Sequence, residues 1–420
     1  MSITLYPSAG SSGTNPAYTT FSGNTVDSFG RLRVSTPFTL FDSQNRYAQD
    51  IHYSSSTATG GTVNYVANQS AVALAVTTSS GSTAQTQTYR VFPYQPGKSF
   101  LTLQTFSMAA AQTNLTQRIG LFDTNNGIYL ERAGSVVSFV IRTYTSGAVS
   151  NSNSAAQSTW NVDKFDGTGP SGTVLDLTKT QILFINLEWL GVGSVRCGFV
   201  INGIFYTAHQ FNNANVQSVV YMQTAILPLR YEIFTTGTTA SAATLQQICS
   251  TVMSEGGYEQ TSQQYIARNP SPVTLTAATS FYPIVSIRLN SSYLGAVVIP
   301  AGFTFLPIGT ANYEIILVKN ATLTGATWAA GAVSGGQVDV DIAAAGTAIT
   351  PTVDSIAQTA YATATNQAQS SAVVPTGYNF DLQLGVSLAG VSDTYTLAAR
   401  ALAGASNTCI GSLTFYNITL

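Results

Sequence analysis

Short runs of alternating apolar and polar residues dominate the chain and restrict it to a strand-rich fold. Examples are SFLTLQTFSM from Ser99, SVVSFVIRTY from Ser135 and YNFDLQLGVSL from Tyr378, and clusters of Gly, Pro, Asn and Ser separate such runs. Successive side chains of a strand point to opposite faces, so a period of two indicates a strand with one buried face. Many short strands joined by turn residues predict an all-β protein built from β-sandwich or jelly-roll-like domains.

Two segments are candidates for helices in this strand-rich chain. The better candidate is ATLQQICSTVM from Ala243. The weaker one is ITPTVDSIAQTAYATATNQAQ from Ile349, because its threonines lower helix propensity. We therefore expect at most short helices between strands.

The 34 charged residues are spread unevenly, with six up to residue 84, 18 in residues 85–259 and ten beyond. This distribution and the turn residues predict four parts. They are an N-terminal arm with the first strands (1–84), a central β-sandwich domain (85–258), a linker (259–275) and a C-terminal β-sandwich domain (276–420). Asn269-Pro270 and Ser271-Pro272 in the linker favour extended backbone, because proline disfavours helical geometry in the preceding residue.

The core of the central domain should contain the large apolar side chains of its strand-like runs. The predicted core residues are Trp160, Trp189, Phe199, Ile201 and Tyr221.

Charge is the most unusual feature of the composition. Charged residues make up 8% of the chain and the net charge is −2, whereas ordinary soluble domains hold roughly 25% charged residues. No basic stretch suggests nucleic acid as a partner, no apolar run reaches the ~20 residues of a membrane span, and MSITLYPSAG does not resemble a secretory signal. With so few charges, electrostatic repulsion opposes association with other chains only weakly. This favours a component of an assembly over a freely diffusing enzyme.

Three motifs that could bind a cofactor or metal have simpler interpretations, so none is predicted. YQPGKSF from Tyr94 contains Gly-Lys-Ser, but Phe92 occupies the place of the glycine that a phosphate loop requires, and a turn leading into a strand is predicted. Asp163 and Asp166 in WNVDKFDGTGPSG should cap a turn rather than hold Ca²⁺, which takes six to eight oxygen ligands. The widely spaced cysteines Cys197, Cys249 and Cys409 should be buried thiols.

Catalytic residues are not predicted. His209 in YTAHQF reads as a strand residue, and His52 lies far from it in sequence. Several acidic residues could pair as the acid and base of a glycosidase, but structural ion pairs with nearby arginines are favoured. The acidic candidates are Glu131, Glu188, Glu232, Glu255 and Asp123, and the arginines are Arg118, Arg132, Arg142, Arg196 and Arg230.

The stretch DSFGRLRVS, from Asp27, contains the candidate interface residues. In a strand, Phe29, Arg31 and Arg33 share one face, while Leu32 and Val34 share the other. Arginine suits interface ion pairs because its planar fork makes several directed hydrogen bonds. The segment before it, rich in Ser, Thr and Gly, cannot bury enough apolar surface to fold alone. We therefore predict an arm that contacts another subunit through Phe29, Arg31 and Arg33. The alternative is a surface strand with two solvated arginines.

Five stretches together resemble a family of virion structural proteins of tailed bacteriophages. They are DSFGRLRVSTPFTLFDSQ (27–44), NGIYLERAG (126–134), STWNVDKFDGTGPSG (158–172), WLGVGSVRCGFVING (189–203) and ICSTVMSEGG (248–257). The resemblance extends from residue 27 to about residue 258. It implies a virion location and a non-enzymatic role as a head decoration or fibre, or as a tail fibre or baseplate component.

The low charge and the apolar content predict further copies of the chain as partners, with a homotrimer expected. The resemblance adds other capsid or tail proteins as partners, and a host surface glycan is an additional candidate. Two rival functions stay open, a receptor- or glycan-binding tail protein and a glycan-cleaving tailspike. No nucleic-acid partner and no membrane insertion is expected.

Overall fold

The computed structural model describes residues 36–259, 261–308, 311–363, 370–372 and 379–419, with residues 370–372 described by their backbone. Its regular structure is almost entirely antiparallel β-strand. The predicted all-β fold class is therefore confirmed. Phe29, Arg31 and Arg33 lie outside the described residues, so their interface role stays a prediction.

Two sheets form the first domain, and their inner faces enclose a common core. Its strands are β1 (Phe38–Gln44), β2 (Tyr53–Ala58), β3 (Thr62–Val66), β4 (Ala71–Val76), β5 (Thr83–Thr88), β6 (Ser99–Ser107), β7 (Leu115–Phe122), β8 (Gly127–Ala133), β9 (Val136–Thr143), β10 (Ser150–Ala156), β11 (Gln181–Leu187), β12 (Val195–Ile201), β13 (Ile204–Phe211), β14 (Leu229–Thr235) and β15 (Ala243–Glu255). The eight-stranded sheet has the order β13-β12-β11-β6-β15-β4-β3, and β1 also pairs with β15. The seven-stranded sheet has the order β10-β9-β8-β7-β14-β5-β2.

Two further sheets form the C-terminal domain. Their strands are β16 (Gln263–Arg268), β17 (Val273–Leu275), β18 (Tyr282–Leu289), β19 (Val298–Ile308), β20 (Asn312–Lys319), β21 (Ala329–Val333), β22 (Val338–Asp341), β23 (Ile356–Thr363), β24 (Ser370–Ala372), β25 (Thr394–Ala401) and β26 (Asn407–Asn417). The smaller sheet has the order β16-β26-β19-β24, with β17 also paired to β26. The larger sheet has the order β21-β22-β18-β25-β20-β23.

The helices of the described residues are single 3₁₀ turns. They span Ala67–Gln69, Gln157–Thr159, Ala343–Gly346, Val353–Ser355 and Phe380–Leu382. None of these turns has the length or the apolar character to cross a membrane.

Both helix predictions are wrong. The segment from Ala243 is strand β15, whose side chains alternate between buried and more exposed positions. Leu245 and Val252 lie in the core, and the strand pairs on both edges, so tertiary pairing overrides the weak helix propensity. The segment from Ile349 contains one 3₁₀ turn, Val353–Ser355, and then strand β23. The strand predicted in YNFDLQLGVSL is also wrong, because Phe380–Leu382 forms a 3₁₀ turn and β25 begins only at Thr394.

The segment predicted as a linker, 259–275, differs from the structure because it contains strands β16 and β17. Both strands pair with β26 and so belong to the C-terminal domain. Pro270 and Pro272 lie between the two strands, where their missing N–H groups remove no hydrogen bond from the sheet. The Asn269 side chain holds this turn by donating to the Ile284 carbonyl at 3.2 Å and accepting from the Ser271 N–H at 3.0 Å.

The hairpin between β12 and β13 follows directly from an Asn-Gly pair. Ile201 and Ile204 face each other across a loop made of Asn202 and Gly203. Both loop residues have positive φ, +52° and +79°. A two-residue hairpin loop with this geometry matches the right-handed twist of its strands, and Asn-Gly is the pair that adopts it most readily.

Aromatic side chains fill the centre of the first sandwich. Trp160 and Phe139 have ring centroids 4.9 Å apart, and Phe165 and Phe199 have centroids 5.2 Å apart. The Trp160 indole N–H donates to the Ala155 carbonyl at 3.0 Å, which satisfies its polar atom inside the core. Of the predicted core residues, Trp160, Phe199 and Tyr221 are buried. Trp189 and Ile201 are partly buried and pack against the same core.

The two domains contact each other directly. Val386 donates its N–H to the Tyr89 carbonyl at 2.7 Å, and the Gln383 side chain donates to the Val91 carbonyl at 3.0 Å. The buried Arg90 guanidinium contacts Asp381 at 3.1 Å. Backbone and side-chain bonds together therefore join the loop after β5 to the segment before β25.

Replacing Trp160 with alanine should lower the free energy of unfolding by about 3–5 kcal/mol, because it removes a large side chain from a tightly packed core. Urea denaturation of the full chain, followed by circular dichroism, measures the change. Tyr47→Ala is the control, since this ring is exposed, and it should cost less than about 1 kcal/mol. Equal midpoints for Trp160→Ala and the parent protein would contradict the assigned core.

Candidate functional site

The predicted turn in WNVDKFDGTGPSG, residues 160–172, is confirmed. Asp163 is buried, and its two carboxylate oxygens accept the N–H groups of Phe165 at 2.7 Å and Ser171 at 2.8 Å. Asp166 accepts the N–H and the hydroxyl of Thr168 at 2.9 and 2.6 Å. These oxygens stabilise the turn that contains them. Across the described residues, no group of three or more His, Cys, Asp or Glu side chains lies close enough to hold a metal ion.

The YQPGKSF segment forms the predicted turn and strand. The Lys98 N–H donates to the Gln95 carbonyl at 3.1 Å, Gly97 has a φ of +86°, and β6 begins at Ser99. Lys98 also lies 3.6 Å from a carboxylate oxygen of Glu259. The positive φ explains the glycine, because most other residues are strained in this region.

The environments of the three cysteines and of His209 can be compared with the predictions. Cys197 and Cys409 are buried as predicted, and burial raises the pKa of the Cys409 thiol to about 12. Cys249 is exposed, so the prediction of three buried thiols is wrong there. His209 lies in β13 as predicted, and burial lowers its pKa. Its ring packs 4.4 Å from that of Phe211.

The remaining histidine, His52, lies in a turn before β2 and not on the sheet that carries His209. Its Nδ1 is 2.7 Å from Asp50 Oδ1. Asp50 also accepts the His52 backbone N–H at 2.9 Å, so the pair closes a local turn.

A dense cluster of charged side chains lies on the outer face of the seven-stranded sheet. Arg118, at the centre, faces Glu131 of β8 on one side and Glu232 of β14 on the other in the strand register. Its Nε donates to Glu131 at 2.6 Å and its Nη1 donates to Glu232 at 2.9 Å. Arg230 contacts the second carboxylate oxygen of Glu232 at 2.6 Å. The expected ion pairs of these four residues are confirmed.

Aromatic rings lie beneath the arginines of this cluster. The Arg118 guanidinium is 4.8 Å from the Phe234 ring centroid and 5.5 Å from that of Tyr129. The Arg230 guanidinium is 5.4 Å from the centroid of Phe122. A cation over an aromatic face is attracted by the ring quadrupole, so the rings help to hold the guanidinium groups in place. We call Arg118, Arg230, Glu131 and Glu232 the ion-pair layer.

Burial acts differently on the two arginines of the ion-pair layer. Desolvation lowers the pKa of Arg118, but the nearby Glu232 and Tyr129 outweigh it, and the net pKa is raised. For Arg230 the desolvation is larger than the attraction of Glu232, and the net pKa is lowered. Both stay charged at neutral pH, since an unperturbed guanidinium has a pKa above ~12.

Arg132 and Arg142 use partners other than the expected carboxylates. Arg132 donates to the Ala109 carbonyl at 3.1 Å and Arg142 donates to the Asp123 carbonyl at 2.9 Å, so the prediction that these two arginines form ion pairs is wrong. Their positions place them next to loop carbonyls rather than opposite a carboxylate. Glu255 accepts from the Asn186 side chain at 2.6 Å. Glu188 accepts from the Tyr94 hydroxyl.

The geometry of the ion-pair layer argues against an acid–base pair made of Glu131 and Glu232. A glycosidase places two carboxylates on either side of the bond that it cleaves, with space for substrate between them. Here the Arg118 guanidinium occupies the space between the two carboxylates and bonds to both. The aromatic rings beneath the arginines were not predicted from the sequence. The pattern that indicates them is a spacing of two residues along a strand, which places Tyr129 on the same face as Glu131 and Phe234 on the same face as Glu232.

No family model and no curated protein matches the chain. Solved structures resemble about half of it at low similarity. A Bacillus licheniformis beta-glucanase is 9% identical, with 52% of this chain and 98% of that chain covered and a TM-score of 0.35. A legume lectin-like domain from Entamoeba histolytica is 10% identical, with coverages of 52% and 98% and a TM-score of 0.31. A family 16 glycosyl hydrolase from Mycobacterium smegmatis is 9% identical, with coverages of 51% and 100% and a TM-score of 0.36. Likeness at this level carries no information on family or function.

Replacing Glu232 with glutamine should lower the free energy of unfolding by about 3 kcal/mol, because it leaves Arg230 without its carboxylate and Arg118 with Glu131 alone. Chemical denaturation measures the change. Glu259→Gln is the matched control, since its carboxylate is exposed and 3.6 Å from one lysine, and a surface pair contributes ~0–1 kcal/mol. A Glu232 variant as stable as the control would show that the ion-pair layer contributes little.

Proposed function

We propose that the chain is a non-enzymatic structural protein of a bacteriophage virion, which self-assembles as a homotrimer and is anchored to the particle by its N-terminal arm. The proposal covers a head decoration or fibre and a tail fibre or baseplate component. The observation that supports it best is the composition of the sheet edges. These edges are the strands through which one sheet can pair with another chain.

Seven of the eight strands that end the four sheet paths contain no Asp, Glu, Lys or Arg. These seven are β2, β3, β10, β13, β21, β23 and β24. The eighth, β16, contains Arg268, and β1, which lies off the path beside β15, contains Asp42. Monomeric proteins commonly protect their edges with charged side chains, especially lysine, because an open edge can pair with another chain. Uncharged edges therefore suit a protein whose edges are covered by its own copies or by other virion proteins.

Apolar side chains at the loops after β11 and β13 support the same proposal. Leu190, Val216 and Val219 are exposed. The loop of Leu190 contacts the loop of the two valines, because the Tyr221 N–H donates to the Gly191 carbonyl at 2.8 Å. Contiguous exposed apolar groups are typical of interaction surfaces. This cluster could pack against a neighbouring subunit.

The rival function as a glycan-cleaving tailspike has less support. Its acid and base would come from carboxylates that converge on an open cleft. Glu131 and Glu232 are instead bridged by the Arg118 guanidinium. The rival function as a receptor- or glycan-binding tail protein would need a ligand site, and the C-terminal domain has a cleft lined by Arg288 and Trp328.

Multi-angle light scattering on the purified full chain tests self-assembly. We expect a particle of three chains, about 132 kDa from the 44.1 kDa chain mass, because uncharged edges and apolar loops favour burial between copies. Virions of the phage that encodes the chain should contain it in multiples of three. A chain that is monomeric in solution and single in the virion would contradict the proposal.

The anchoring arm is tested by the double variant Arg31→Ala with Arg33→Ala. Loss of a hydrogen-bonded charge buried at an interface costs roughly 2–5 kcal/mol, so incorporation into particles should fall strongly. Quantitative immunoblotting of purified particles measures incorporation. The matched control is Arg46→Ala, which removes an arginine whose guanidinium lies over the exposed Tyr47 ring. Normal incorporation of the double variant would show that both arginines are surface residues.

A further inference from the structure

A cleft of about 420 Å³ lies in the C-terminal domain, beside the end of β18 and the loops that precede β21 and β25. Its walls are mainly apolar, with Leu294, Leu323 and Val391 among the lining residues. Arg288 and Trp328 also line it. An apolar cleft with a small number of polar groups is the usual form of a small-molecule site, and its volume falls in the common range of ~300–1,000 Å³.

Arg288 is held in position on two sides. Its Nε donates to the buried Asp339 at 3.2 Å, and these two residues face each other in the register of β18 and β22. Its guanidinium lies 4.3 Å from the centroid of the Trp328 ring. Asp339 is itself fixed, because it also accepts from the Asn290 side chain at 2.8 Å and the Gly331 N–H at 2.9 Å. An arginine restrained in this way loses little conformational entropy when it binds a ligand.

Five side-chain donor groups at the cleft have no hydrogen-bond partner among the described residues. They are the two Nη groups of Arg288, the indole N–H of Trp328 and the hydroxyls of Ser291 and Thr394. The other two tryptophans differ, since Trp160 and Trp189 each donate their indole N–H to a backbone carbonyl, at 3.0 and 2.9 Å. The unpaired groups of the cleft are therefore mostly donors.

Arg400 provides an internal comparison for Arg288. It also stacks on an aromatic ring of the C-terminal domain, with its guanidinium 4.7 Å from the Phe281 centroid. However, its Nε and Nη2 contact Glu314 at 2.7 and 2.6 Å, and its Nη1 donates to the Thr279 carbonyl at 3.4 Å. The full fork of Arg400 is used within the protein, whereas that of Arg288 is not.

Charge defines the ligand that would fit. Arg288 is the one charged residue among the described residues that line the cleft, so the site complements an anion. A guanidinium with both Nη groups unpaired binds a carboxylate in a bidentate manner. The indole N–H and the Ser291 hydroxyl can bond to further oxygens, and the apolar walls can pack against C–H groups. A peptide suits this set poorly, because each of its backbone N–H groups needs an acceptor.

We propose that this cleft binds a carboxylate-bearing sugar residue, such as a sialic or uronic acid of a surface glycan. Arg288 binds the carboxylate, the Trp328 indole N–H binds a ring or hydroxyl oxygen, and Leu294, Leu323 and Val391 contact the apolar face of the sugar. The inference rests on the geometry of the C-terminal domain and is independent of the virion role.

Isothermal titration calorimetry with the full chain tests the ligand class. The probes are N-acetylneuraminate and glucuronate, with glucose as a neutral sugar and acetate as a carboxylate without a sugar. We expect a millimolar or tighter Kd for at least one acidic sugar, and at least about tenfold weaker binding of glucose and acetate. Binding of neither acidic sugar up to about 10 mM, or equal binding of glucose or acetate, would overturn the proposal.

Variants locate the site. Arg288→Gln and Trp328→Ala should each weaken binding of the acidic sugar at least about tenfold, because a hydrogen bond to a charged group contributes ~1.5–3 kcal/mol. Arg400→Gln is the matched control and should leave the Kd unchanged. Retained affinity in Arg288→Gln, or an equal loss in Arg400→Gln, would show that the sugar binds elsewhere.

A measurement on the parent protein avoids dependence on folded variants. ¹⁹F NMR of the chain labelled with 5-fluorotryptophan gives one signal for each of the three tryptophans. Addition of the acidic sugar should shift the Trp328 signal and leave those of Trp160 and Trp189 in place. Saturable binding without a shift of the Trp328 signal would contradict the assignment of this cleft.

Discussion

The first domain depends on the pairing of one central strand, β15. Its 13 residues pair with β6 along one edge and with β1 and β4 along the other. Strands from the N-terminal segment and from the middle of the chain are thereby joined into one sheet. A strand inside a sheet has hydrogen-bond partners for its N–H and C=O groups on both edges. A short helix instead leaves the N–H groups of its first turn and the C=O groups of its last turn without a partner in the helix. The corresponding strand of the C-terminal domain is β26, which pairs with β16, β17 and β19.

The alternation of apolar and polar residues predicted most of the strands. A strand with one buried face shows this alternation whichever strand it pairs with. It failed at β15, where Gln246 and Gln247 interrupt the apolar pattern and resemble the surface of a helix. It failed again at β16 and β17, where two prolines suggested a linker although they lie between the strands. In both places the partner strand, far away in sequence, decides the structure. Local propensity contains no information on that partner.

The candidate sites were predictable to different degrees for the same reason. Arg118, Glu131 and Glu232 could be grouped as ion-pair residues because one domain holds more than half of the charges. The aromatic rings beneath them became visible through the register of β7, β8 and β14. The cleft was not predicted at all. Arg288 and Trp328 are 40 positions apart, and the loop that carries Trp328 reaches Arg288 because β22 pairs beside β18.

Because the chain has so few charges, each charged side chain strongly affects which partners the surface attracts or repels. Most described arginines are used internally: Arg118 and Arg230 by glutamates, Arg142 by a carbonyl and Arg400 by Glu314. Such pairing removes their charge as a means of attracting a partner or repelling another copy. Together with uncharged sheet edges, it leaves a surface on which pairing with other chains meets little electrostatic resistance. Arg288 departs from this pattern, because its position is fixed by Asp339 and Trp328 while both Nη groups stay unpaired. Its Nε pairs with the buried Asp339 and so supports the fold, while the two Nη groups are available for the proposed carboxylate.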